Sequence, residues 1–338
     1  MEVKSKARKI LKSKTFTLLV ILLLIVAFFW YISPNHSYLG VRNITTILNS
    51  MVLYILFAVA VSMPLIFGEL DLSPGYIGTA AGATMATLLS EGGVPWYLTV
   101  VICLVLGIAF GLLNAVLVNE FRIQSFIATL AVGSFVAKGI SYIVPTGRPL
   151  AITDSVIVWV GVTKIGGLVP VSVIISLVVI MVYGIILAKT KFGRSIYLCG
   201  EGRQAARLAG LNPKKLSYIV FANSGLLGAL GGMIFAARIN TGDLTGTNNF
   251  AFPAITACIF GGIAFGGGNG NMLGCFLGLL IINSFNNGLT IMRVSPYWQN
   301  VAAGVLLLIA LTIDFIASRS AKRTKVLKKT KAGTGVDL

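Results

Sequence analysis

Lys189-Thr190-Lys191-Phe192-Gly193-Arg194-Ser195-Ile196-Tyr197-Leu198-Cys199-Gly200-Glu201-Gly202-Arg203-Gln204-Ala205-Ala206-Arg207-Leu208-Ala209-Gly210-Leu211-Asn212-Pro213-Lys214-Lys215 is a basic island between two uncharged apolar runs, 169–188 and 216–237. Each run is long enough to cross a bilayer, which takes about 20 apolar residues. An island with seven Lys and Arg between two such runs reads as an inner loop, since basic residues collect on the cytoplasmic side of membrane proteins. Within it, residues 203–209 suit a short helix of good helix formers, stopped by Gly210 and then Pro213.

The rest of the chain repeats this alternation. Of 338 residues, 56% are hydrophobic and only 11% charged, where a soluble domain carries about 25% charged residues. Apolar segments lie at 15–33, 46–67, 74–90, 95–118, 125–144, 169–188, 216–237, 250–265, 271–292 and 298–316. The expected fold is an all-α integral membrane protein of about ten transmembrane helices, with both termini cytoplasmic. A basic N-terminus, 1–14, precedes a transmembrane domain, 15–316, whose inner loop is 189–215. A basic, disordered tail, 317–338, follows. The N-terminus imitates a signal peptide, but Trp30-Tyr31-Ile32-Ser33-Pro34 replaces a small-x-small cleavage site, so it reads as an uncleaved first span. The third and eighth segments are short and glycine-rich, and are candidates for broken helices.

The net charge of +17 does not point to nucleic acid. Of 27 basic residues, 20 fall in 1–14, 189–215 and 317–338, all flanking apolar runs. That distribution fits membrane orientation and contact with anionic lipid. The four cysteines, Cys103, Cys199, Cys258 and Cys275, have no paired or metal-binding spacing.

Two Asp-containing segments resemble each other: Asp71-Leu72-Ser73-Pro74-Gly75 after the second span and Asp243-Leu244-Thr245-Gly246 after the seventh. They suggest that spans two to five and seven to ten are inverted copies, a common transporter plan. Asp71 is placed to cap the helix entered at Pro74, so Asp71, Ser73 and Gly75 read as a structural motif before a ligand site. Gly225, Gly228, Gly231 and Gly232 are spaced for close helix packing.

Polar residues inside spans are the pathway candidates. Asn283, Asn286 and Asn287 follow i, i+3, i+4 spacing and share one side of the ninth helix, and Asn114 and Asn223 lie in the fourth and seventh. Neutral amides suit a polyol, offering donors and acceptors without trapping a charge. Hydrogen bonds between helices are the competing use of the same residues. An ion-coupled secondary transporter would want carboxylates or histidine deep in a span. Here Glu69, Asp71, Glu120 and Asp314 sit near span ends, and the single histidine, His36, is in a loop. A membrane enzyme would need a metal cluster, an acid pair or a nucleophile with its base, and none is readable.

The island resembles the coupling loop of permeases in the ribose/galactose/xylose class of ABC importers. There a Gly-Arg-aromatic run precedes Gly-x-x-x-x-Ala-Ala-x-x-x-Gly-[IL], and Gly193, Arg194, Tyr197, Gly200, Ala205, Ala206, Gly210 and Leu211 fall in register. Gly202-Arg203-Gln204 departs from the family's usual Asn-Glu or Asn-Pro. Gly68-Glu69-Leu70-Asp71-Leu72-Ser73-Pro74-Gly75 is similar to the family's Gly-Gly-[IL]-Asp-Leu-Ser-Val-Gly. Phe260-Gly261-Gly262 with Gly266-Gly267-Gly268-Asn269-Gly270, and Asn286-Asn287-Gly288-Leu289, match its later motifs. The resemblance implies the permease subunit of an importer for a small polar solute, such as a monosaccharide. Permeases of the same family for nucleosides, branched-chain amino acids or a furanose signal molecule are the alternatives.

The implied partners are ABC ATPase subunits, an extracytoplasmic solute-binding protein, and a second permease, either a homodimer mate or a close paralogue. The implied location is the bacterial plasma membrane. Arg203, Ala205, Ala206, Arg207 and Gly210 would couple the ATPase to the spans. Arg203 and Arg207, four apart, would share a face free to meet acidic residues or lipid phosphates, and the two alanines would let the helix sit close in a partner's groove. Gly266–Gly270 lacks the Lys-[Ser/Thr] ending of a phosphate loop and no Walker A sequence occurs. ATP would therefore be used by another chain, with no cofactor bound by this one.

Overall fold

The computed structural model describes residues 14–295 and, beyond them, 297, 298, 301, 304, 305 and 312. The tenth expected span, the basic N-terminus before Lys14 and the tail 317–338 lie largely or wholly outside these residues. Within the continuously described stretch 14–295, α-helices follow in order: α1 Lys14–Ile32, α2 Val41–Phe67, α3 Pro74–Ser90, α4 Trp96–Asn119, α5 Ser125–Ile143, α6 Ser155–Val162, α7 Val171–Lys189, α8 Lys191–Glu201, α9 Arg203–Leu208, α10 Pro213–Ile239, α11 Ala251–Phe260 and α12 Met272–Ile291. Seven of them, α1, α2, α4, α5, α7, α10 and α12, are long and apolar enough to cross a membrane. Among the described residues the β-structure is two short antiparallel ladders, one pairing Leu150–Ala151 with Thr241–Gly242 and one pairing Lys164–Ile165 with Val169–Pro170.

The two segments expected to be broken turn out differently. The eighth is broken: α11 lasts ten residues and gives way at Gly261 to a glycine loop running to Asn271. The third is an uninterrupted 17-residue helix, and the irregularity lies ahead of it, in the non-helical Glu69–Ser73. The interruption that the sequence did not announce is in α5, whose middle, Val132–Ala137, winds as a π-helix. A π-turn there sets Gly133 against Tyr76 and Ser73 of the α3 entry, and π-bulges of this kind recur at functional sites. Two further helices, α6 and α8, occupy stretches expected to be loop. Asp154 caps α6 by accepting N–H bonds from Val156 and Ile157, both at 3.0 Å. Thr190 caps α8 by accepting the Gly193 N–H at 3.1 Å.

Helix α2 is the axis of the bundle: 89% of its most apolar stretch is buried, against 33% for α4, α5 and α7 and 11% for α1. Against it runs α10. Asn49 of α2 accepts a hydrogen bond from Arg238 of α10 at 2.8 Å, and Met63 meets Asn223, so the two helices are antiparallel. Both are 27 residues long, and both end in a left-handed residue, Gly68 (φ 87°) and Asn240 (φ 52°). An Asx turn follows each. Ser73 N donates to Asp71 Oδ1 at 2.9 Å, and Thr245 N donates to Asp243 Oδ1 at 2.7 Å. The turns then lead into short helices, α3 and α11. The turn of one half touches the other: Thr247 Oγ1 donates to Gly75 O at 2.7 Å, and Thr79 donates to Asn248 Oδ1 at 2.8 Å.

The α10 glycines do not share one contact. Gly225 lies against Gly107 of α4, Gly228 against Pro74 and Gly232 against Gly78 of α3, while Gly231 meets the Phe57 ring of α2. Small residues let α4 and α3 approach the helix at backbone distance and admit a ring of α2, which is how membrane helices gain packing energy when lipid supplies no hydrophobic drive. Two of the four cysteines also meet: Cys258 Sγ of α11 and Cys275 Sγ of α12 are 3.4 Å apart as buried thiols.

Candidate functional site: a helical platform and its seat

The island forms a platform of two helices hinged at Gly202. Helix α9 starts on the Ala206 N–H to Gly202 O bond at 3.0 Å. It stops where Gly210 turns left-handed (φ 79°), with Gly210 N donating to Arg207 O and Leu211 N to Ala206 O, both at 3.0 Å. A Cβ at a left-handed residue costs about 1–2 kcal/mol, which is the reason for glycine here. The next helix begins at once: Asn212 Oδ1 accepts the Lys215 N–H at 3.1 Å, and Pro213 occupies its first turn. Of the alanine pair, only Ala206 is buried, and it is buried against this chain; Ala205 is exposed. Leu208 is 91% exposed, an apolar side chain standing off the platform.

The platform sits on backbone. Gly200, near the end of α8, is so close to Ile66 O and Gly268 N that a Cβ would overlap both. Gly268 N itself donates to Ile66 O at 2.8 Å, and Tyr197 Oη donates to Gly270 O at 2.7 Å. Gly267 lies against Gly68, and Gly267, Gly268 and Gly270 all have positive φ. The C-terminal end of α2, the α11–α12 loop and α8 therefore meet through glycines. The motifs around Gly68, Gly200 and Gly266–Gly270, far apart in the numbering, are parts of one junction.

Arg203 meets an acidic residue of this chain: its guanidinium pairs with Glu69 and stands 5.3 Å from the Phe67 ring centroid. Arg203 is thus a tie from α9 to the end of α2, while Arg207 remains exposed. Both border a cleft of about 570 Å³ beside the α4–α5 turn, which also holds Glu120, Arg122 and Lys214. The Glu120 carboxylate is held below the usual carboxylate range by the Lys214 ammonium and the Tyr218 hydroxyl.

The polar residues of the spans are not gathered in one place. Asn114 is buried and donates to Ser73 Oγ at 2.8 Å, joining the Asp71 turn. Ser73 Oγ in turn donates to Asp71 Oδ1 at 2.6 Å. No side chain caps the α3 N-terminus directly, so Asp71 shapes the turn before the helix instead of capping it. Gly75 allows Thr247 O and Asn248 O to approach at 2.6 and 2.9 Å from where a Cβ would sit. Asn223 accepts a short hydrogen bond from Tyr183 Oη and faces Met63 Sδ at 3.4 Å. At the other end of α2, Asn287 Oδ1 accepts from Asn43 Nδ2 at 2.9 Å. Asn283 donates to Leu279 O at 2.9 Å, and Asn286 Oδ1 is a buried acceptor with no protein donor. The sequence reading missed Arg238, which follows the apolar run 216–237 and falls in the last turn of α10, and the ties Glu69–Arg203 and Thr79–Thr247, which join residues far apart in the chain.

The Asn43–Asn287 contact gives the first expected result. A double-mutant cycle to Ala on thermal stability should show a coupling of about 0.6–1.7 kcal/mol, the range of hydrogen bonds between membrane helices. Zero coupling would leave Asn287 available to line a pathway.

Known permeases are similar to this chain along most of its length. The family model described as branched-chain amino acid transport system / permease component matches residues 43–311. The ribose import permease protein of Haemophilus influenzae is 31% identical over 311 residues, covering 91% of this chain and 94% of the relative. The fructose import permease protein of Bifidobacterium longum is 31% identical over 287 residues, 82% of this chain and 84% of the relative. The autoinducer 2 import system permease protein of Photorhabdus luminescens is 28% identical over 288 residues, 83% and 84% of the two chains.

Proposed function

Because the chain belongs to the family of branched-chain amino acid transport system permease components, we propose that it is the permease subunit of an ABC importer for a monosaccharide or similar small polyol. It is a multi-pass membrane protein. The observation that carries the reading is the α8–α9 platform: a short helix with an exposed apolar tip, seated on glycine backbone at the end of the central helix. A motion imposed on α9 would reach α2 through Gly200 and the Arg203–Glu69 pair, with no soft loop between.

In this reading the basic-loop end of the bundle is cytoplasmic, both termini lie on that side, there are ten spans, and spans two to five and seven to ten form inverted copies. The antiparallel α2 and α10, with their matching left-handed ends and Asx turns, support the repeat. Arg203, Ala205, Ala206, Arg207 and Gly210 make up the coupling element. ATP is bound and hydrolysed by a separate ATPase subunit, a binding protein delivers the solute, and a second permease completes the pathway. The Asn residues at 114, 223, 283, 286 and 287 are the proposed pathway residues, with Asn114, Asn223 and Asn287 also hydrogen-bonded to side chains of this chain. The sugar reading is favoured over amino acids by the names of the similar permeases, for ribose and fructose, and by the neutral amides, which suit hydroxyl groups.

The test is uptake into proteoliposomes holding this chain with its ATPase and binding protein. ATP-dependent accumulation of a labelled pentose or hexose, competed by unlabelled sugar and not by leucine, is expected. Uptake that proceeds without ATP, or that leucine abolishes and sugars do not, overturns the proposal.

A further inference from the structure

The cleft beside the α4–α5 turn carries more positive charge than this chain neutralises. Arg122, Arg203, Arg207 and Lys214 line it, against the carboxylates of Glu69 and Glu120. Arg203 pairs with Glu69, and Lys214 pairs with Glu120 at 2.7 Å. That leaves Arg122 of the turn and Arg207 of α9. Among the described residues neither has a carboxylate within ion-pair distance, and both are exposed. The Arg203 guanidinium is held below its usual range, first by burial and then by the like charge of Arg207, so the Arg207 charge is felt at the cleft wall even with Glu69 in place.

The surroundings of the cleft are those of a bilayer edge. Its walls include the last turn of α4, the start of α5 and the start of α10, three helices long and apolar enough to span. Large apolar side chains are exposed beside the two unpaired guanidinium groups: Phe121 is 68% exposed, and Ile123, Phe126 and Ile127 are exposed as well. Phe121 and Ile123 flank Arg122 in the turn itself, outside the spans. On α9, Arg203 and Arg207 lie one turn apart on one side, and the exposed Ala205 and Leu208 lie on the other. A partner protein seated on Leu208 meets the side of α9 turned away from the cleft.

We propose that this cleft holds the phosphate of an anionic phospholipid between Arg122 and Arg207, with the acyl chains against Phe121, Ile123, Phe126 and Ile127. A guanidinium grips phosphate oxygens through two parallel N–H bonds. Two guanidinium groups facing one phosphodiester favour an anionic headgroup over a choline headgroup, whose own ammonium they repel. The cleft volume of about 570 Å³ lies within the range of small-ligand sites, about 300–1,000 Å³. Basic pockets between membrane helices on the cytoplasmic side take lipid headgroups. A free phosphate would satisfy the guanidinium groups and leave the apolar side chains beside them uncovered, whereas a phospholipid meets both. The bound lipid ties α9 to the α4–α5 turn, as the Arg203–Glu69 pair ties it to α2.

The test is native mass spectrometry of the full-length chain, released from detergent micelles that contain phosphatidylglycerol or phosphatidylcholine. The wild-type chain is expected to retain phosphatidylglycerol and not phosphatidylcholine. Phosphatidylglycerol is expected to bind about thirtyfold more weakly to the Arg122→Gln, Arg207→Gln double variant, the loss of two basic contacts at a membrane surface. A second double variant, Lys191→Gln with Arg194→Gln, removes the same charge from exposed residues of α8 outside the cleft and is expected to bind as wild type does. Equal retention of the two lipids by the wild-type chain, or an equal loss in both double variants, would overturn the proposal. Displacement of the lipid by inorganic phosphate at equal concentration would overturn it too, by making the occupant a free anion. So would unchanged lipid binding by the cleft variant together with loss of ATPase retention, which would make the occupant an acidic segment of a partner protein.

Discussion

Replacing Gly200 with valine is expected to abolish ATP-driven uptake while the chain still inserts in the membrane. A Cβ at this position would overlap Ile66 O and Gly268 N. Both are backbone atoms, held by their own hydrogen bond at 2.8 Å, and cannot swing aside as a flexible side chain would. Relief requires α8 to lift off the end of α2 and the α11–α12 loop, breaking the Tyr197–Gly270 bond at 2.7 Å and disturbing the Arg203–Glu69 pair. Overpacking of this kind costs about 3 kcal/mol at the upper end of its usual range, and that is about a hundredfold in the population of the seated platform. The packing of α4 against α10, through Gly107 and Gly225, does not involve Gly200. Membrane yield near wild type with uptake reduced about a hundredfold is the expected pair of readings. Normal uptake would mean that the platform does not need its seat.

Much of the helical framework was legible because length and apolarity are all a bilayer asks of a span. The segment 95–118 became Trp96–Asn119, 125–144 became Ser125–Ile143 and 216–237 became Pro213–Ile239. The stop of α9 at Gly210 was also legible, because glycine and a following proline act locally on the backbone. Which helix lies at the centre was not. In water, an apolar face marks the buried side, but in lipid the outward face is apolar too. Helices α2 and α7 therefore read alike in sequence, yet 89% of one and 33% of the other is enclosed. The pairing of Arg203 with Glu69 was hidden for a different reason: residues 134 positions apart are joined only by the fold. The same holds for Asn114 and Ser73, and for the glycines that meet at Gly200. Sequence spacing described Asn283, Asn286 and Asn287 as one row; Asn283 and Asn287 both meet α2, through Ser50 and Asn43, while Asn286 Oδ1 is a buried acceptor without a protein donor.

The most direct measurement is ATPase retention and ATP-driven uptake by the Leu208→Asp variant in the reconstituted transporter. Leu208 is 91% exposed on α9 and touches nothing that holds this chain together, so a change there leaves the platform, its glycine seat and the spans intact. Ala205, three residues earlier and on the same helix, is also exposed, which makes this the face that a partner would cover. An apolar anchor at the centre of such a contact is worth about 2 kcal/mol or more, and a carboxylate in its place adds a desolvation cost. If α9 is the coupling helix of an importer, membrane yield and thermal stability stay at wild-type levels while ATPase retention and uptake both fall about thirtyfold or more. Uptake and ATPase retention at wild-type levels would contradict the account, and leave α9 as a helix that merely lies at the membrane surface.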